Sequence, residues 1–136
     1  MLFRSNLALG VGVASGARAI GVPCNTIQAT REGTLSTATS GDLVLGDGLS
    51  ITEGGADPSD VIGNRFLDNE RFGVVVAGAG VRMRDNSGSG NRYGVGAYGA
   101  GERDIDASNA IDGDEPPPAA AATARGELAV GGVTGP

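Results

Sequence analysis

The chain has 136 residues, 25 of them glycine, with aromatics at only 4% and neither Trp nor His. That length suits one ordinary domain, but so few large side chains would leave a helix bundle or sandwich core underfilled, whereas a thin solenoid core can be filled coil by coil with Val, Ile and Leu. Ten basic residues against sixteen acidic ones leave a net charge of −6, which excludes the basic surface that phosphate-backbone binding needs, so no nucleic-acid partner is expected.

In chain order, Leu2–Ser5 is also what one frame of a common sequencing adaptor encodes, so Met1–Ser5 is expected to be non-native or disordered. The N-terminus has no signal-peptide pattern, and no run of 18 apolar residues exists, so no membrane span is expected. Asn6–Val13 matches Asn69–Val76 at an offset of 63, with Leu9 in the place of Phe72. Ile20–Ile27 then matches Val61–Phe66. Cys24, the single cysteine, excludes an internal disulfide and is expected to be packed rather than reactive. Thr30–Leu35 takes the place of Asn91–Val95, and Leu43–Ile51 reads as one strand resembling Val75–Met83. Thr52–Asp60 is a polar loop by its turn residues. Asn25 and Asn64 are 39 apart, against 22 for Asn64 and Asn86, so an insertion of about seventeen residues, placed at 36–60, is expected to leave the stack.

The clearest repeat follows. Asn69-Glu-Arg-Phe72-Gly73-Val74 returns as Asn91-Arg-Tyr93-Gly94-Val95, and Val61-Ile-Gly-Asn64 returns as Met83-Arg-Asp-Asn86. A fixed period near 22 means stacked units, each a short strand, a turn, and another strand. Alternation puts Val74, Val76, Val81 and Met83 inward. Gly10, Gly33, Gly73 and Gly94 are expected at corners with φ > 0, and Asn25, Asn64 and Asn86 in the left-handed region. Asn25, Asn64 and Asn86, Asn69 and Asn91, and Phe72 and Tyr93 should form ladders of like residues roughly 4.8 Å apart. A partial repeat, Ile105–Ile111, ends the domain. Pro116–Pro118 bars a helix interior or central strand, so 114–136 is expected to be a Pro/Ala-rich linker and disordered tail.

The motif N-x-F-x-x-N-x-x-F/Y-G-V-x-V, with its Asn ladder, resembles the repeat of the right-handed parallel β-helix family, the fold of pectate lyases. The resemblance spans roughly Asn6–Ile111 and is clearest over Val61–Tyr98. It implies an all-β, right-handed parallel β-helix of about four coils over 6–113. It also implies export to the cell surface, periplasm or medium, and a site on the outward face of one sheet. A polysaccharide or cell-surface glycan is the partner it suggests. Either the chain is a repeat segment that binds carbohydrate or acts as a spacer, or it is part of a lyase, hydrolase or epimerase acting on acidic glycans. Open coil ends would favour end-to-end self-association.

With Val61, Met83 and Ile105 in register, Asp60, Arg82 and Asp104 share one outward row, and Ile62, Arg84 and Asp106 the next. They form either a surface charge ladder or a groove in which Arg82 and Arg84 clamp sugar carboxylates, with Asp60 beside them. An enzyme is doubtful because Arg acts as a base only if its pKa falls far. Tyr98 is the freer tyrosine for stacking on a sugar. Glu53, Asp57 and Asp60 read as a solvated loop. Asp104, Asp106, Ser108, Asp112 and Glu115 have the spacing of a calcium loop, with Asn109 in place of the usual Gly. The Gly-rich stretch before it and the prolines after it exclude the flanking helices, so no cofactor is expected apart from this calcium alternative.

Overall fold

Strand alternation and a constant period dictate a stack, and a stack is what forms. The computed structural model describes residues 1–13, 21–37, 41–52, 59–77, 80–98, 103–118 and 133–134. The described residues are all-β, without helix. After β1 (Leu2–Arg4), coil one holds β2 (Leu9–Val13), β3 (Gly21–Pro23) and β4 (Thr26–Gln28). A hairpin, β5 (Gly33–Thr37) and β6 (Gly41–Leu45), precedes coil two, which holds β7 (Asp47–Thr52), β8 (Ser59–Ile62) and β9 (Arg65–Leu67). Coil three holds β10 (Phe72–Ala77), β11 (Val81–Arg84) and β12 (Ser87–Asn91), and coil four β13 (Tyr93–Tyr98), β14 (Arg103–Ile105) and β15 (Ala110–Gly113). A last strand, β16, is Val133–Thr134.

Three parallel sheets run along the stack: β2-β7-β10-β13, β3-β8-β11-β14 and β1-β4-β9-β12-β15. The result is a parallel β-solenoid of about four turns. Met83 lies over Val61 and Tyr93 over Phe72, as the period requires. Val74, Val76, Val81 and Met83 are buried with Ile27, Leu49 and Phe66 in one continuous core. Each such side chain contributes about 1.5–3 kcal/mol.

The asparagines hold the register. Asn25, Asn64 and Asn86 each donate Nδ2–H to the Oδ1 of the Asn one coil on, at 3.2, 3.0 and 2.7 Å, the last acceptor being Asn109. The same Oδ1 atoms accept the backbone N–H of the donor residue. A second column carries Asn69 to Asn91 at 2.8 Å. Thr30 occupies that column one coil earlier; its N–H reaches Asn69, while Thr30 Oγ1 and Asn6 Nδ2 are buried without a partner.

Several expectations are corrected. The left-handed residue is not the ladder asparagine but the one before it. Ser5, Cys24, Ala29, Gly63, Asp68, Asp85 and Gly90 all have φ between 52° and 68°, and each precedes Asn6, Asn25, Thr30, Asn64, Asn69, Asn86 or Asn91. The reversal at the preceding residue accompanies a ladder side chain that is turned into the core. Gly10, Gly73 and Gly94 lie inside strands rather than at positive-φ corners, and they are glycine for close approach. A Cβ at Gly10, Gly48 or Gly73 would sit 2.5, 2.7 or 3.0 Å from the carbonyl oxygen of the next glycine in the column. Gly33 opens β5, where the Leu7 side chain crosses it.

Coil two also differs. Ser50, not Leu43, lies in register with Val75, because Leu43 belongs to the antiparallel hairpin. Thr30 to Leu49 spans 19 positions where Asn69 to Val74 spans five, and Thr52 to Ser59 spans seven where Ala77 to Val81 spans four. The seventeen extra residues are therefore fourteen at the hairpin and three in the polar loop. Asp47 consequently stands in the aromatic column, between Leu9 and Phe72.

Leu2–Arg4, within the stretch expected to be non-native or disordered, pair with β4. The backbone stays tied through Asp114 and Glu115, whose N–H groups reach Asn91 and Arg92. Within the expected tail, β16 pairs antiparallel with Gly96 and Ala97; residues 119–132 and 135–136 lie outside the described residues.

Removing an interior rung should cost more than removing an end one. Asn86→Ala leaves the Asn64 N–H without its acceptor and takes one donor each from the Val61 carbonyl and Asn109 Oδ1, so urea unfolding should show a loss of about 3 kcal/mol or more. Asn25→Ala, at the half-buried end, should lose about 1 kcal/mol. Equal losses would contradict the ladder's role.

Candidate functional site

The outward face of β8, β11 and β14 has the predicted rows. Arg82 lies between Asp60 and Asp104 in register, and donates from Nε and Nη2 to the two Asp60 oxygens at 2.7 and 2.9 Å. Arg84 donates to Asp104 at 2.5 Å and more weakly to Asp106 at 3.4 Å. The side chains of Arg82 and Arg84 are 47% and 45% exposed, so solvent screens these pairs and each adds little stability. The hydrogen bond and charge of Asp60 raise the Arg82 guanidinium above its ordinary value, the opposite of what a general base would need.

A second column of alternating charge at the turn before the long strands was not foreseen. Arg31 donates to Glu70 at 2.7 Å, and Arg92 to Glu115 at 3.4 Å. The offsets of 39 and 23 are the coil spacings, so lining up the ladder asparagines and reading the next residue would have found it.

The buried pair Asp47–Arg71 was also missed. Asp47 is fully buried and receives Arg71 Nε and Nη2 at 2.7 and 2.9 Å and the Phe72 N–H at 3.3 Å. Arg71 Nη1 donates to the Val44 carbonyl on β6 at 3.0 Å, and its guanidinium lies 5.3 Å from the centre of the Phe72 ring. Burial pushes the Asp47 carboxyl up, while Arg71 and the Phe72 and Gly46 N–H groups pull it back. Aligning Asp47-Gly48-Leu49 with Phe72-Gly73-Val74 at an offset of 25 would have exposed the acid in an apolar column.

Tyr98 does not offer a sugar-stacking face. It is buried, edge-on to Phe72 at 6.2 Å, with its ring where a Cβ of Gly96 would stand. Phe72 and Tyr93 stack at 4.8 Å as expected. Cys24, expected to be packed, is exposed, because it is the left-handed corner residue rather than an inward one.

The calcium spacing does not close into a loop. Asp104 and Asp106 face Arg84, Ser108 Oγ accepts the Asp85 N–H, Asp112 is in β15, and Glu115 faces Arg92. Among the described residues, no group of three acidic, Cys or His side chains could hold a metal ion. Glu53 and Asp57 lie outside the described residues. No described helix is long and apolar enough to cross a membrane. Comparison with protein-family models, with curated proteins and with solved structures finds no match.

Two measurements probe these charges. Arg71→Leu strands a buried carboxylate and should cost about 3 kcal/mol in urea unfolding, whereas Asp47→Leu with Arg71→Leu should recover most of that loss. A double variant as unstable as the single would refute the pair's dependence on mutual charge. Hydrogen bonds from Arg31 and the Glu32 N–H lower Glu70, and those from Ser108 lower Asp106. Each therefore adds stability that is full above the unfolded carboxylate range and lost as pH falls through the folded value. Glu70→Gln and Asp106→Asn should flatten the acid side of a plot of melting temperature against pH; an unchanged acid limb in both would rule these groups out.

Proposed function

We propose that the chain is a repeat segment of an extracytoplasmic parallel β-helix protein and acts as a structural spacer. The observation that supports this reading is the state of the outward arginines: Arg82 and Arg84 are tied to Asp60, Asp104 and Asp106 of their own sheet. Such a face adds register and rigidity to the stack without needing an outside partner. Placement outside the cytoplasm, and membership of a pectate-lyase-like family, rest on the resemblance of the repeat. End-to-end association of coils belongs to the same reading.

Carbohydrate binding on this face is the neighbouring form of the proposal. Both arginines are about half exposed, so a carboxylated glycan could compete with the chain's own acids. The alternative, a fragment of a lyase, hydrolase or epimerase acting on acidic glycans, needs a base that Arg82 in its present setting does not supply.

Calorimetric titration with polygalacturonate, together with an assay for its depolymerisation, separates these readings. The spacer predicts neither saturable heat nor shortened chains. Saturable binding that weakens about tenfold or more in Arg82→Ala/Arg84→Ala would establish the glycan-binding form instead. Turnover would overturn the spacer outright.

A further inference from the structure

The hairpin is the largest departure from the repeat among the described residues, and named contacts tie it to the stack. Arg71 Nη1 holds the Val44 carbonyl, the Leu7 side chain crosses Gly33, and Leu45 is buried at the root. Arg71 is held in turn by both oxygens of Asp47. We propose that the Asp47–Arg71 pair is an acid-sensitive latch fixing β5–β6 to the stack, and that proton uptake at Asp47 frees the hairpin while the coils stay folded.

The geometry gives the mechanism. A protonated Asp47 cannot hold the guanidinium as a bidentate ion pair, and Arg71, whose side chain is 14% exposed, has a way out to water. Its departure removes the donor from the Val44 carbonyl. A two-stranded hairpin is marginal without further packing, so losing this tie loosens it. The coils do not depend on the latch in the same way, because the ladders and the core continue on both sides. With Arg71 gone and Asp47 still buried in the stack, the carboxyl loses the charge that lowers it, so the freed state holds the proton more tightly than the latched one and acid favours release. Among the described residues, the other charged or titratable groups around it are Glu32, beside Gly46 at the hairpin mouth, the Arg31–Glu70 pair, Tyr93 and Tyr98 of β13, and Arg92 over Tyr93.

Amide hydrogen exchange on the full chain at pH 7 and pH 4.5, expressed as protection factors, tests the latch. The expected result is a fall of about tenfold or more at Leu43 and Val44, with Val74–Val76 unchanged. Asp47→Asn should show the loosened hairpin at both pH values, while Asp60→Asn, which breaks an ion pair elsewhere, should behave as the parent. Hairpin protection that falls only in step with Val74–Val76, or a parental pH response in Asp47→Asn, overturns the proposal. Should Asp47→Asn fail to fold, carboxyl-carbon NMR of the parent chain decides: the Asp47 titration midpoint must coincide with that of hairpin loosening, and separate midpoints refute the latch.

Discussion

A buried primary amide must find partners for two hydrogens and an oxygen, and in this chain the asparagine one coil away supplies the decisive one. Asn25, Asn64, Asn86 and Asn109 form one such column, and Asn69 and Asn91 another. An amide left unmade in a dry core costs about 1–3 kcal/mol, so a coil cannot slip by a residue without losing a rung in each column. The left-handed residue before Asn25, Asn64, Asn69, Asn86 and Asn91 accompanies the same demand, since the chain turns there as the amide enters the core. The glycine column Gly10, Gly48, Gly73 and Gly94 follows as well, because coils drawn this close leave no space for a Cβ beside the neighbouring carbonyl.

The charges outside repeat the register in weaker form. Asp60, Arg82, Arg84, Asp104 and Asp106 interlock on one sheet, and Arg31–Glu70 and Arg92–Glu115 on a corner. Exposed pairs add little stability each; Asp60, Arg82 and Asp104 lie in register, so these pairs match the stacking without deciding it. Asp47–Arg71 differs in kind. It is buried, it breaks the aromatic column, and it stands at the root of the hairpin. A buried ion pair costs desolvation, and its position suggests that it serves the insertion rather than the stack.

Among the described residues, these features divide the stack into regular coils and the inserted hairpin. The coils present a face on which Arg82 and Arg84 pair with Asp60, Asp104 and Asp106. The hairpin and its tie to Arg71 are where the repeat is set aside, and in repeat proteins insertions of this kind often lie on the face that carries function.

The period was readable in the residues alone, because stacking places chemically similar side chains together and leaves their spacing in the chain. Asn64 over Asn86, Phe72 under Tyr93, and Arg82 between Asp60 and Asp104 were all legible that way. The placement of the fourteen-residue insertion was not, since Leu43-Val-Leu45 alternates as a coil strand would and only pairing with Gly33–Thr37 shows otherwise. Nor was the burial of Tyr98, which depends on Gly96 leaving a gap for its ring, or the exposure of Cys24, which depends on backbone handedness at a corner. Repetition records which residues lie above one another; how an outward side chain is covered, and where an inserted strand goes, depend on contacts that have no period.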